Sequence, residues 1–113
     1  MYQVIKIGEK DVEMVANAAT VYRYKQIFHE DYFVRINAKD NDGFSNLEIF
    51  TRMGFVMAMQ AEKKNMAKLN EENFFEWLEQ FNPMDVNLAV DAIARLLNGS
   101  SEGTADPKKE SGQ

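Results

Sequence analysis

The chain contains no cysteine, and only two of its 113 residues are proline. The missing cysteines exclude a disulfide framework, a thiolate metal site and a cysteine nucleophile. No apolar run approaches the length of a transmembrane helix. Residues 1–7 lack the basic flank and the long apolar run of a signal peptide. We therefore expect a cytoplasmic protein that does not insert into a membrane.

Basic residues are in the minority, with 13 Lys and Arg against 18 Asp and Glu and a formal net charge of −5. Such a chain is repelled by the phosphates of nucleic acids and by acidic membrane surfaces. The adjacent basic pairs, Lys63-Lys64 and Lys108-Lys109, are not interleaved with aromatic residues. We expect neither a nucleic-acid partner nor a membrane partner.

Catalytic and cofactor motifs are also missing. There is no phosphate-binding glycine loop and no GxSxG turn. The cluster His29-Glu30-Asp31 has fewer histidines than metal sites generally use, and a histidine at a helix end more often acts as a C-terminal cap. The pair Glu71-Glu72 has no apolar cleft that would raise a pKa for acid–base chemistry. The sequence predicts no enzyme, no metal and no cofactor.

The chain itself predicts a mainly α fold with a small N-terminal β-hairpin. Residues 2–7 and 11–15 read as two strands joined at Gly8, and together they make the hairpin of residues 1–15. Helices are predicted over 21–29, from the Ser45 cap to about 64, over 71–81, and from Pro83 to an end at Asn98-Gly99. The predicted caps are Thr20, Ser45, Asn70 and Asn82. Residues 31–37 favour a strand by composition, but Asp31 could cap a short helix there, which we prefer.

The predicted organisation is one compact helical domain over residues 1–98, followed by a tail. Residues 37–43 are predicted to be a loop. Residues 99–113 contain no large apolar residue, so they cannot offset the entropy of ordering and are predicted to be disordered.

Two helices carry more apolar surface than one core face needs. In the helix over 45–64, Phe55 and Met59 lie opposite the broad apolar face, among charged residues, and touch as an i, i+4 pair. They resemble a small contact patch, although the hairpin or the long loop could cover them instead. In the helix over 83–97, apolar residues spread over roughly two-thirds of the circumference. Such a helix is central or is shared with a second chain, so Leu88, Ala92 and Leu96 join Phe55 and Met59 as candidate partner-binding residues.

The first third of the chain resembles a known family. An Ile7-Gly8 turn leads to Val12 and Met14, and the segment Thr20-Val21-Tyr22-Arg23-Tyr24-Lys25-Gln26-Ile27-Phe28-His29-Glu30-Asp31 follows. These residues resemble the "I-G-x-x-x-V-x-M" and "T-x-x-R-Y-K-x-x-F-x-x-D" motifs of tail assembly chaperones from long-tailed phages and prophages of Gram-positive bacteria.

The resemblance implies a non-enzymatic chaperone. Members of that family bind the tape measure protein while major tail tube subunits polymerise around it, and they leave before the particle is complete. Many also exist in a longer form made by ribosomal frameshifting. Lys108-Lys109 suggests such a site, a hypothesis that would be dropped if the gene has no slippery run of adenines there.

Two alternatives stay open beside the chaperone. The first is a structural or adaptor subunit that is retained in a phage or prophage particle. The second is a small DNA-binding regulator, which the single basic residue Arg95 in the helix over 83–97 makes less attractive, because a recognition helix normally carries several. A homo-oligomer is compatible with each of these readings.

Overall fold

The computed structural model describes residues 1–38 and 43–99, with the backbone alone for residues 43–45. In chain order the elements are β1 (Tyr2–Ile7), β2 (Lys10–Val15), α1 (Thr20–Phe28), α2 (Tyr32–Ile36), α3 (Gly43–Ala61), a 3₁₀ turn (Met66–Lys68), α4 (Glu71–Leu78) and α5 (Pro83–Leu97). The predicted class, mainly α with an N-terminal hairpin, is confirmed.

The hairpin follows from its alternating pattern and its turn. Gly8 adopts a φ of +66°, which allows β1 and β2 to pair antiparallel with Ile7 opposite Lys10 and Tyr2 opposite Val15. Ile5, Ile7 and Met14 point inward and are buried. A lone hairpin is only marginally stable in water, so this inner face needs the helices on which it packs.

Three helices begin where a capping side chain predicts it. Asp31 accepts a hydrogen bond from the Val34 amide, which confirms that residues 32–36 are helical and not a strand. Asn70 caps α4 reciprocally with Asn73. Asn82 caps α5, and a proline occupies the first helical position. Each cap satisfies amide groups that the first turn of a helix leaves unpaired.

The caps predicted at Thr20 and Ser45 are wrong. Helix α3 begins at Gly43, before Ser45. Thr20 is the first residue of α1, and its hydroxyl accepts hydrogen bonds from the Asn17 amide and from the side-chain amide of Gln60 on α3. A tertiary partner therefore occupies the oxygen that would have capped the helix.

Helix α3 also ends three residues before the predicted boundary. The Lys63 amide donates to the Gln60 carbonyl, and the Lys64 amide donates to the Met59 carbonyl. Lys63 has a φ of 59°. This is a Schellman arrangement in which lysine takes the left-handed position that glycine usually holds, so no glycine marks the end in the sequence. The predicted helix over 71–81 likewise ends early, at Leu78. The predicted tail and most of the predicted loop fall on residues 100–113 and 39–42, which lie outside the described part of the chain.

Helix α3 forms the centre of the fold. It packs against β2, α1, α2, α4 and α5, and every residue from Met53 to Met59 is buried. Gly54 permits the close approach of α5. A Cβ atom placed on Gly54 would lie 2.9 Å from Cδ1 of Ile93, the flexible end of that side chain.

This contact predicts energetic coupling between Gly54 and Ile93. Replacing glycine by alanine inside a helix gains about 1 kcal/mol of propensity, but here the new methyl group must displace Ile93. We expect Gly54→Ala alone to change the free energy of unfolding little, and the same substitution to stabilise an Ile93→Val background by about 1 kcal/mol, since the methyl is then accommodated. Urea unfolding of the four variants measures the coupling. An equal effect of Gly54→Ala in both backgrounds would contradict the proposed contact.

Candidate partner-binding site

Phe55 and Met59 do not form a surface patch, so the predicted exposure is wrong. Phe55 is 1% exposed and Met59 is 6% exposed. The Phe55 ring lies between Phe74 and Trp77 of α4, with centroid distances of 5.6 and 5.8 Å, and 6.3 Å from the ring of Phe28. The helical wheel assumed one open side of this helix, whereas α1 and α4 supply aromatic residues that cover it.

The three candidates on α5 differ in their surroundings. Leu96 is fully buried and belongs to the core, so its assignment as an accessible contact residue is wrong. Ala92 is partly buried against that core. Leu88 is 73% exposed and remains available to a partner.

An apolar groove lies between the first half of α3, helix α4 and the first half of α5, with a volume of about 360 Å³. This volume lies in the range of ligand pockets, about 300–1,000 Å³. The lining is mostly apolar, and Glu48 is its one charged member: Leu47, Glu48, Thr51, Phe74, Phe75, Leu78, Pro83, Val86, Asn87 and Val90.

Two large side chains at the groove remain open to solvent. Phe75 is 48% exposed and stacks at a tilt on Phe74, with centroids 5.4 Å apart. Leu47 is 37% exposed. Both belong to the apolar arcs of their helices, so periodicity alone would predict core positions for them. The apolar residues of α4 span a wider arc than the part of α4 that α3 covers. Phe75 lies at the uncovered side of this arc and so borders the groove.

A cluster of charges joins α3 to α1, α2 and α4 beside the groove. Arg52 of α3 lies within 3.3–3.5 Å of carboxylate oxygens of Glu30, Glu48 and Glu71. Its guanidinium also stacks over the Phe28 ring, 4.9 Å from the centroid. Because its side chain is only 16% exposed, these contacts are screened less by solvent than ordinary surface pairs. The Glu48 and Glu71 side chains are 51% and 56% exposed, so Arg52 contacts the Glu48 wall of the groove through partly solvated ion pairs.

The same cluster includes a buried tyrosine. The Tyr24 hydroxyl donates a hydrogen bond to Glu30, and the Tyr24 side chain is inaccessible to solvent. Burial, and then the neighbouring Glu30 carboxylate, raise the pKa of Tyr24 well above the ordinary value of 10.0, although Arg52 acts in the opposite direction. The phenol stays protonated and acts as a structural donor.

The cluster His29-Glu30-Asp31 divides into three separate structural roles. His29 caps α1 in a left-handed conformation and donates its amide to the Lys25 carbonyl. Glu30 pairs with Tyr24 and Arg52, and Asp31 caps α2. Within residues 1–38 and 43–99, no group of three or more His, Asp or Glu is arranged to hold a metal ion.

A larger cavity, about 500 Å³, lies between β2, the end of α3 and α4. Its lining is strongly polar and includes Lys10, Asp11, Glu13, Glu62 and Gln80. The groove beside Phe75 is the better candidate for binding a partner, because it combines exposed aromatic surface with few polar groups.

No helix in the described ranges is both long and apolar enough to cross a bilayer. No family model, curated protein or solved structure matches the chain. The resemblance of the N-terminal third to tail assembly chaperones therefore stays a prediction.

The two phenylalanines at positions 55 and 75 are expected to respond differently to truncation. Phe55→Ala leaves a cavity among three aromatic rings and should lower the free energy of unfolding by about 3–5 kcal/mol. Phe75→Ala removes a half-exposed ring and should cost about 1 kcal/mol. Urea denaturation followed by far-UV circular dichroism measures both. Equal losses would contradict the difference in burial.

Tyr24→Phe is expected to change how stability depends on pH. At pH 7 it removes the hydrogen bond to Glu30, at a cost of about 1–2 kcal/mol. Because the pKa of Tyr24 is raised by folding, its contribution is complete below about pH 10 and falls at higher pH, as the tyrosine ionises in the unfolded chain first. The difference in unfolding free energy between wild type and Tyr24→Phe should therefore shrink above pH 10. Urea titrations at pH 7, 9.5 and 10.5 test this, and a constant difference would oppose it.

Proposed function

We propose that this protein is a non-enzymatic tail assembly chaperone, and that its groove between α3, α4 and α5 holds an apolar helical segment of the tape measure protein. The observation that carries the proposal is the half-exposed ring of Phe75 in a groove with one charged lining residue. The resemblance of residues 7–31 to the chaperone motifs supplies the identity of the client. Tail tube subunits are a second client that the same resemblance implies.

The shape and lining of the groove favour an amphipathic helix as the occupant. Helix-in-groove recognition places side chains at i, i+3, i+4 and i+7 into an apolar channel. A long helical tape measure protein presents such stripes before the tube encloses it, and an unpaired stripe in water favours aggregation. A chaperone that covers the stripe keeps the client soluble.

Charge supports the choice of occupant and the eventual release of the client. Glu48 at the groove and the first-turn residues Glu71 and Glu72 of α4 are acidic, and the whole chain carries a net charge of −5. Arg52 offsets part of the charge of Glu48 and Glu71, and the remaining negative charge would attract a client helix with lysine or arginine beside its apolar stripe. Rim charges mainly affect association rates and salt dependence, so binding can stay reversible.

Substitution of Phe75 tests the groove directly. Phe75→Asp places a carboxylate in the channel and should weaken binding of purified tape measure protein at least 10-fold, which corresponds to about 1.4 kcal/mol. Tyr22→Asp is the matched control, because Tyr22 is an exposed aromatic residue on α1, away from the groove. Isothermal titration calorimetry with both folded variants gives the comparison. Equal binding by the two variants, or no binding by wild type, would contradict the proposed role of the groove in binding the tape measure protein.

Composition of finished particles separates the chaperone from a retained structural subunit. A chaperone is expected in lysates of cells that assemble tails and is expected to be absent from purified particles. Quantitative mass spectrometry of both fractions measures this. A stoichiometric presence in finished particles would favour the structural or adaptor subunit instead.

A further inference from the structure

The outer edge of β1 has main-chain groups that no neighbouring strand pairs. Met1 and Ala16 exchange two hydrogen bonds, of 2.8 and 2.6 Å, at the open end of the hairpin. In an antiparallel ladder, hydrogen-bonded and non-hydrogen-bonded pairs alternate. The register therefore directs the main-chain groups of Gln3, Ile5 and Ile7 toward β2 and those of Tyr2, Val4 and Lys6 away from it.

The two edges of the hairpin differ at one main-chain group. Within the described residues the outward groups of Asp11 and Glu13 on β2 are as open as those on β1, but Val15 is bound by α3. On the β2 side, the Val15 carbonyl accepts a hydrogen bond of 2.7 Å from the Gln60 side chain of α3. On the β1 side, no main-chain group of Tyr2, Val4 or Lys6 has a hydrogen-bond partner within the described residues. An exposed edge of this kind is a template for another strand.

Helix α5 lies beneath the strand whose edge is open. Helix α3 packs on β2 and helix α5 packs on β1. Asp85 of α5 lies against Gly8, and Ile93 faces α3 at Gly54. Leu88 is three residues beyond Asp85 and so shares its side of the helix, on the flank that faces away from α3. Leu88 is 73% exposed, so it adds apolar surface on this side of α5.

We propose that a second copy of this chain pairs with this edge, β1 against β1 in antiparallel orientation, around a two-fold axis at Val4. This register joins Val4 to Val4 of the second copy and Tyr2 to Lys6 of the second copy. It satisfies about six main-chain groups on each strand, because each hydrogen-bonded pair exchanges two bonds. The two hairpins become one four-stranded sheet with α5 of each copy beneath it.

The side chains on the outer face suit this register. Tyr2 and Val4 are 58% and 44% exposed, so pairing covers apolar surface that a monomer leaves in water. The Lys6 ammonium pairs with Asp11 at 3.1 Å within the chain, and in this register it also comes opposite the ring of Tyr2 of the second copy, where it can add a cation–π contact. Glu13, diagonal to Tyr2 in the hairpin, makes that end of the strand electronegative. A register that places Lys6 opposite Lys6 would instead oppose two like charges.

The pairing surface and the client groove use different faces of α5. The groove is lined by Pro83, Val86 and Val90, whereas Leu88 lies on the flank beside β1. The proposed pairing of two copies therefore does not depend on the proposed client. Both grooves of the pair stay open to solvent.

Val4→Pro tests the edge, because the proline removes the outward amide of residue 4 without removing a hydrogen bond inside the hairpin. Val4→Thr is the matched control, since it keeps the amide and the β-branched shape. Light scattering coupled to size exclusion, over a wide range of protein concentration, should find a two-chain species for wild type and Val4→Thr and loss of that species for Val4→Pro. A wild type that is monomeric throughout, or a dimer that Val4→Pro leaves intact while folded, would overturn the proposal.

Amide hydrogen exchange of the wild-type chain gives a second test that does not depend on folding of the variant. At concentrations where two chains associate, the amides of Tyr2, Val4 and Lys6 should be protected, and dilution should remove the protection. Rapid exchange at these three positions in the associated state would contradict strand pairing. Protection that arises only when a client is added, with the chain otherwise monomeric, would assign the edge to a client strand and also overturn the proposal.

Discussion

Burial of α3 on all sides from Met53 to Met59 is the constraint on which the rest of the structure depends. The hairpin, α1, α4 and α5 each contact this helix, and α5 also packs on β1. Unbranched methionines at Met53, Met57 and Met59 adapt to partners of different shape, and Gly54 allows the closest of those partners to approach. Because the peripheral elements depend on one shared helix, a cavity in α3 weakens several contacts at once.

Arg52 adds polar contacts between α3 and its neighbours to this apolar packing. A single guanidinium reaches three glutamates from three different parts of the chain while its plane covers the Phe28 ring. Arginine suits this position because its planar fork offers five donors and tolerates stacking on an aromatic ring. The arrangement links the first turn of α4 to α3 beside Glu48, which lines the groove.

Local signals in the sequence were sufficient for the element types and for several boundaries. The side chains of Asp31, Asn70 and Asn82 act within three residues of their own position, so their caps could be predicted without tertiary structure. The role of Thr20 could not, because its hydroxyl binds Gln60 from 40 positions along the chain. The early end of α3 had no signal either, since Lys63 adopts a conformation that usually requires glycine.

The site was harder to predict than the fold because it depends on which helix faces stay uncovered. A helical wheel places Phe55 opposite the main apolar face, but only the positions of Phe28, Phe74 and Trp77 determine that it is buried. The reverse holds for Phe75, which follows the apolar periodicity and is nevertheless open to solvent. The apolar periodicity of α5 did not separate Leu88, which is exposed, from Leu96, which is buried.

The aromatic cluster around α4 has a spectroscopic consequence. Trp77 is the single tryptophan of the chain, and it packs edge-on against Phe81 with centroids 5.0 Å apart, next to Phe55. It belongs to the same short helix that lines the groove through Phe74, Phe75 and Leu78. Its intrinsic fluorescence is thus an unlabelled optical reporter of whether this helix stays docked when a ligand enters from the opposite face.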